Sequence, residues 1–253
     1  AKFKKALVKS VQELKATATT LQKSFFPSDF PSFPGYEFGA TYHSATKHAL
    51  IGGDFYDIFL LDKNHLCIVL VDVSGKGIEA TTATALVKNV LKAFALETPI
   101  TPLAVINKAN RVLANVLGGQ FATVFFSILD KNGLLTYVNC GHPPAFLLQK
   151  DGSIAALEYT GMPLGFEFSY DCQQKTAQVG PGELLLLYTD GLTELRQENI
   201  FLGEEGVKKA LLNCQSLTTA AVPLAIYQAA ETFCQGRLHD DIAVVAIKRV
   251  TAV

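Results

Sequence analysis

From residue 36 onward, short apolar runs alternate with longer stretches in which apolar residues recur every three or four positions. The first run, 36–43, predicts a strand, and residues 55–61 and 66–72 predict a hairpin turning at Asp62-Lys63-Asn64. Ile78–Leu96 then carries Ala80, Ala83, Leu86, Val87, Val90, Leu91 and Phe94 at helical spacing, which predicts a helix with one buried face. Pro99 and Pro102 end that helix and open another over 102–117, followed by Gly118-Gly119. Strands are predicted over 121–129, 134–139 and 145–149, with turns at Lys131-Asn132-Gly133 and Lys150-Asp151-Gly152-Ser153. A strand at 183–189, helices near 204–213 and 218–235, and a last strand at 241–248 complete the pattern. Hairpin runs combined with two helical pairs predict an α+β fold of two antiparallel sheets face to face with helices outside.

Residues 1–24 follow a different rule. Phe3, Leu7, Val11, Leu14, Ala18 and Leu21 form a heptad-like stripe between Lys and Gln, so an amphipathic helix is predicted. It must stop near Phe26, because Pro27, Pro31 and Pro34 follow. The chain therefore divides into a linker or regulatory helix, 1–24, and a domain, 25–253. The stripe is short enough to pack on that domain or to dimerise, and its pattern does not choose between them.

Composition narrows the class. With 253 residues and 49% hydrophobic content the chain can bury a sizeable core. A net charge of −1 offers no surplus to neutralise nucleic-acid phosphates, and no apolar run is long enough to span a bilayer. The first residues lack the apolar core of a signal peptide, so a cytoplasmic location is expected. Cys67, Cys140, Cys172, Cys214 and Cys234 contain no CxxC pair and read mostly as small buried hydrophobes, not as a disulfide or zinc framework.

The candidate chemistry lies in four aspartates at the edges of apolar runs: Asp54 in GGDFYD, Asp72 in VLVDVSGKG, Asp190 in LLLLYTDGLTE and Asp240 in HDDIAVVAI. Any one of them alone could be a solvated strand end. Four such carboxylates, several beside glycines that let ions approach, suit a hard divalent cation and point to a metal-dependent enzyme. Asp57 is three residues beyond Asp54, an odd spacing that puts it on the other strand face; Gly52 and Gly53 clear space beside Asp54, which favours Asp54. Asp241, adjacent to Asp240, is set outside the site by the same alternation. The GKG at 75–77 is not a phosphate loop, which needs GxxxxGK[ST], and Ser74 lacks the GxSxG setting of a hydrolase nucleophile. His142, in NCGHPPAF, reads as part of a rigid turn in preference to a general acid.

The strings LQKSFFP, GGDFYD, VDVSGKGIEA, GQFATVFFSILD, LTYVNCGHPPAFLL, GMPLG, LLLLYTDGLTE and HDDIAVVAI, in that order, resemble the SpoIIE/RsbU-like branch of the PPM family of metal-dependent serine/threonine protein phosphatases, over residues 20–249. The resemblance implies an α/β/β/α sandwich and a centre for two ions, Mn²⁺ or Mg²⁺. Asp72 would bridge both; Asp54 and the backbone carbonyl of Val73 would complete one, and Asp190 and Asp240 the other. An oxygen-only donor set fits those cations better than zinc. It further implies that hydroxide formed between two cations about 3.5–4 Å apart attacks phosphorus in line, with no covalent phosphoenzyme.

Two positions depart from the family pattern. Other branches carry an arginine shortly before the first acidic motif to hold the substrate phosphate; here the stretch is HALIGGD, and Lys47 is the nearest cation. Ala243 stands where this branch often has threonine. The resemblance also implies a phosphoserine or phosphothreonine substrate on a STAS-type anti-sigma antagonist in bacterial partner switching, an upstream sensor domain, and control or homodimerisation through residues 1–24. The alternative from another class is a catalytically weak docking module that keeps the fold. A small-molecule phosphohydrolase is a third reading.

Overall fold

The computed structural model describes residues 26–44, 52–75, 77–97, 101–166, 171–236 and 238–250. The helix expected over 1–24, the boundary after it and Lys47 lie outside the described residues. In chain order the elements are strands β1 (Tyr36–His43), β2 (Asp54–Leu60) and β3 (His65–Val73), then helices α1 (Gly77–Ala95) and α2 (Pro102–Val116). Six strands follow: β4 (Ala122–Asp130), β5 (Leu134–Cys140), β6 (Ala145–Leu148), β7 (Ile154–Leu157), β8 (Lys175–Gln178) and β9 (Leu184–Tyr188). The short helix α3 (Asp190–Thr193), the ribbon β10 (Arg196–Gln197) and β11 (Ile200–Phe201), helices α4 (Gly203–Leu212) and α5 (Val222–Phe233), and strand β12 (Ile242–Arg249) complete the fold.

Two five-stranded antiparallel sheets, ordered β2-β3-β4-β5-β8 and β1-β12-β9-β6-β7, stack face to face. Strand β3 illustrates why they do so. Leu66, Ile68 and Leu70 point into the space between the sheets, where they meet Leu185, Leu187, Val245 and Ile247. Cys67, Val69 and Val71 point the other way, against Val87 and Leu91 of α1 and Ile106 and Leu113 of α2. With both faces covered, the strand reads as a near-continuous apolar run, not an alternating one. The second sheet is covered in the same manner: Leu184, Leu186, Val244 and Ala246 pack on Val207 and Leu211 of α4 and Ile226 of α5. The result is the expected α/β/β/α sandwich.

Local chemistry sets the element ends. Thr101 caps α2 by accepting from the Ala104 N–H at 3.3 Å, with Pro102 at the first helical position. Asp130 Oδ1 accepts from the Asn132 and Leu134 N–H groups, each at 2.8 Å, and Gly133 takes a φ of 92°, which closes the β4–β5 turn. The helix expected over 218–235 starts instead at Val222, after a turn in which the Ala221 N–H bonds the Thr218 carbonyl, with Pro223 at the helix start. Strands β7 and β8 and the β10–β11 ribbon have no counterpart in the sequence reading. IAAL and KTAQ are short edge segments with weak alternation, so pairing with a neighbour, not pattern, makes them strands. None of the five cysteines is in a disulfide; four are buried and Cys172 is partly exposed.

Candidate metal centre

Antiparallel neighbours place the end of one strand beside the start of the other. Strands β2 and β3 pair so that Asp54 lies directly opposite Asp72, on one face of the sheet. Because Asp72 keeps the parity of Leu66, Ile68 and Leu70, that face is the one between the sheets. In the other sheet, β9 runs out toward Asp190 while β12, its partner, begins just after Asp240 and Asp241. Two strand pairs from opposite sheets thus bring their acidic ends to one edge of the sandwich.

The electrostatics report that convergence. Burial, and then the facing charge of Asp72, push the Asp54 carboxyl well above the usual carboxylate range, and Asp241 and Asp190 push in the same direction. Burial raises Asp72 to about 6, with Asp240, Asp241 and Glu194 adding to the shift. Burial raises Asp190 to about 7, followed by the charges of Asp72, Glu194 and Asp240. Asp54 Oδ2 is buried with no hydrogen-bond partner among the described residues, an arrangement that costs free energy unless something cationic approaches. Beside it, a Cβ on Gly53 would overlap the Val73 carbonyl oxygen and come within 3.2 Å of Asp72 Oδ1, so only glycine leaves that carbonyl accessible. These oxygens are the donor set that a hard divalent cation requires. They are not drawn into a shell: among the described residues, no three His, Cys, Asp or Glu side chains form a preassembled metal site. Asp54 and Asp72 do approach closely enough to share a hydrogen bond, which lowers the Asp72 carboxyl against the rise from burial.

The remaining candidates fall elsewhere. Asp57 faces α1, where Lys92 Nζ bonds its Oδ2 at 2.9 Å while lying 4.4 Å from the centre of the Phe59 ring. Replacing Lys92 by Met is expected to cost about 1–2 kcal/mol of stability in urea unfolding, because it takes one cation from a buried carboxylate that also acts on Lys88; phosphoester hydrolysis should not change. Asp241 differs from the expectation built on alternation. Strand β12 begins at Ile242, so Asp241 precedes it and the rule does not apply; the side chain is buried, and a Cβ on Gly52 would overlap its carboxylate. Asp240 is exposed, and its Oδ1 accepts from the Asp241 N–H at 2.9 Å.

Supporting residues that the sequence reading passed over surround these acids. The Thr189 side chain hydrogen-bonds Asp54, opposing part of its shift, and Thr189 Oγ1 accepts from the Ala243 N–H at 2.9 Å, so position 243 touches the site through its backbone. The sequence carries no signal for Thr189: it follows the run Leu184–Tyr188, and its burial and its contact with Asp54 arise only when the two sheets pack. His142 is buried and shares a 2.9 Å hydrogen bond with Thr123, the strand partner of Asp72; burial pushes the imidazole down to about 3, so the ring is neutral at physiological pH. The turn after Asp72 is held by the Ser74 N–H to the Phe121 carbonyl and by the Phe121 N–H to Ser74 Oγ, both 2.9 Å.

A two-sheet sandwich with carboxylates at one edge between the sheets is the architecture of PP2C-type phosphatases. The family model described as Stage II sporulation protein E (SpoIIE) matches residues 62–250, a span that includes Asp72, Asp190 and Asp240. The chain belongs to the SpoIIE family, within the RsbU-like branch of the PPM phosphatases. It is 31% identical over 245 residues to phosphoserine phosphatase RsbU of Bacillus subtilis, covering 94% of this chain and 71% of that protein. Among solved structures it resembles the RsbU and RsbW domains of Rv1364c from Mycobacterium tuberculosis, with 26% identity and a TM-score of 0.75, over 88% of this chain and 62% of that one. The fold also matches the catalytic domain of the serine/threonine phosphatase PstP in complex with two manganese ions, at 16% identity and a TM-score of 0.64, over 85% of this chain and 99% of that one.

Proposed function

We propose that this chain is a metal-dependent phosphoserine/phosphothreonine protein phosphatase that uses two divalent ions, Mn²⁺ or Mg²⁺. The supporting observation is that Asp54 and Asp72 from one sheet, and Asp190 and Asp240 from the other, converge on one edge around a buried carboxylate oxygen that no donor among the described residues satisfies. Asp72 would bridge the ions; Asp54 and the Val73 carbonyl would hold one, and Asp190 and Asp240 the other. Bound there, the cations supply Lewis-acid activation of water and offset charge on the phosphoryl oxygens. The protein's part is to hold the donors. Cross-strand pairing fixes Asp54 against Asp72, Thr189 orients Asp54, and Gly53 keeps the Val73 carbonyl open.

A phosphoprotein substrate of the STAS-type antagonist class, an upstream sensor domain, a cytoplasmic location and homodimerisation or gating through residues 1–24 belong to the same proposal, supported by the similarity to RsbU. No helix among the described residues is long and apolar enough to cross a membrane. Treating the protein with EDTA is expected to abolish hydrolysis of a phosphoserine peptide, and Mn²⁺ or Mg²⁺ added back should restore it. Full activity in EDTA would overturn the proposal.

One observation favours the second reading, a catalytically weak docking module: among the described residues, no three His, Cys, Asp or Glu side chains already form a metal site. Calorimetric titration with Mn²⁺ separates the two. A phosphatase binds the metal and turns over; a docking module does neither at millimolar Mn²⁺.

A further inference from the structure

A phosphomonoester dianion entering an acidic centre needs positive side chains for the oxygens that do not face metal. None comes from described residues 52–54 or 72–75, which flank Asp54 and Asp72 and contain no Lys or Arg. On the other side of the centre, the β10–β11 ribbon borders a cleft of about 250 Å³ whose lining includes Gly191, Glu194, Arg196, Phe201, His239 and Asp240. Asp240, a proposed metal ligand, thus shares this cleft with an arginine.

The ribbon is built to present that arginine. Leu195, just before it, is buried, and its carbonyl accepts from the Leu202 N–H at 2.7 Å, which ties both ribbon ends to the body. The turn between the strands is tight enough to force Glu198 to a φ of 55°, outside the region most side chains prefer. Arg196 is directly opposite Phe201, so the two side chains share one ribbon face, and both line the cleft. Arg196 is exposed, and among the described residues no ion pair engages its guanidinium. Phe201 is 58% exposed beside it, an apolar surface with no core role that suits a protein substrate.

Resting on the phosphatase reading above, we propose that Arg196 grips the substrate phosphoryl group, donating two parallel N–H groups to oxygens that face away from the metals. The planar fork of a guanidinium matches phosphate in a way that an ammonium does not. The fold thereby supplies, from the ribbon after Asp190, the cation that other branches of the family place before the first acidic motif.

The test compares wild type, Arg196→Ala and Arg196→Lys at saturating Mn²⁺, with a phosphoserine peptide, with p-nitrophenyl phosphate, and with inorganic phosphate as inhibitor. Arg196→Ala should raise KM for both esters by about 10–30-fold and weaken phosphate inhibition by a similar factor, with Arg196→Lys recovering part of the loss. Mn²⁺ affinity and the melting temperature should not move. An unchanged KM for p-nitrophenyl phosphate together with unchanged phosphate inhibition overturns the inference, as does an effect on the peptide alone. If the wild type turns over neither ester, the phosphatase reading fails independently. Titrating inorganic phosphate into the Mn²⁺-loaded protein then still tests the contact: weaker binding in Arg196→Ala sustains it, and equal binding removes it.

Discussion

Replacing Asp72 by Asn is expected to cut metal-dependent phosphoester hydrolysis about a thousandfold or more, while making the metal-free protein harder to unfold. The first effect follows from the proposed bridging role, since losing the ligand shared by both cations removes several kcal/mol of transition-state stabilisation. The second follows from the raised carboxyls. Asp72 is lifted from 3.8 to about 6 and Asp190 to about 7, first by burial, so the folded chain keeps protons that the unfolded chain has already released. In that window the native state binds more protons, and metal-free stability must fall as pH rises from about 4 through 6 to 7. Asparagine removes one charge from the group and should recover about 1–3 kcal/mol at neutral pH. Urea unfolding at pH 5 and pH 7.5 checks this. Wild type should lose stability between the two values more steeply than the variant, and Mn²⁺ should stabilise wild type alone. A variant less stable than wild type in EDTA, or one that keeps its activity, would show that Asp72 is not held in a repulsive cluster awaiting metal.

Gly53→Ala tests the geometry without touching any charge. The new Cβ would overlap the Val73 carbonyl oxygen, which is backbone and cannot swing aside. The strands cannot part easily either, because the Val73 N–H donates to the Gly53 carbonyl at 3.2 Å and Asp54 is paired with Asp72. A loss of about 2–3 kcal/mol of stability is expected from the forced displacement. Activity should fall at least about a hundredfold, since an ångström of misplacement in a proposed ligand is enough. Thermal unfolding in EDTA and Mn²⁺ calorimetry measure the two effects separately. Wild-type Mn²⁺ affinity in this variant would sink the assignment of the Val73 carbonyl.

Much of the fold was legible because burial on both faces writes itself into composition. Leu184–Tyr188 and Leu66–Val71 are apolar throughout, and α1 shows its buried residues at helical spacing. The polar strand β8 was not legible, because its pairing comes from a neighbour distant in sequence, as when Tyr137 opposes Lys175, and the ribbon β10–β11 was not, because two residues per strand are too few for alternation to register. For the site, the sequence could mark Asp54, Asp72, Asp190 and Asp240 as strand-end acids and separate Asp57 from Asp54 by parity. It could not find Thr189, whose contact with Asp54 spans the two sheets, nor the burial of Asp241, because the strand start that decides it is set by pairing.

What the sequence determined by itself is local: which segments bury one face or two, where they stop, and that acids stand at the stops. What only the tertiary structure decided is which stops meet. The order β2-β3 in one sheet and β9-β12 in the other carries acids from residues 54, 72, 190 and 240 to one edge, gives Asp57 to Lys92, and sets Arg196 in the cleft beside Asp240. Side-chain periodicity fixes a face within each strand, but strand order and register depend on contacts between residues far apart in the chain, and no local pattern encodes those.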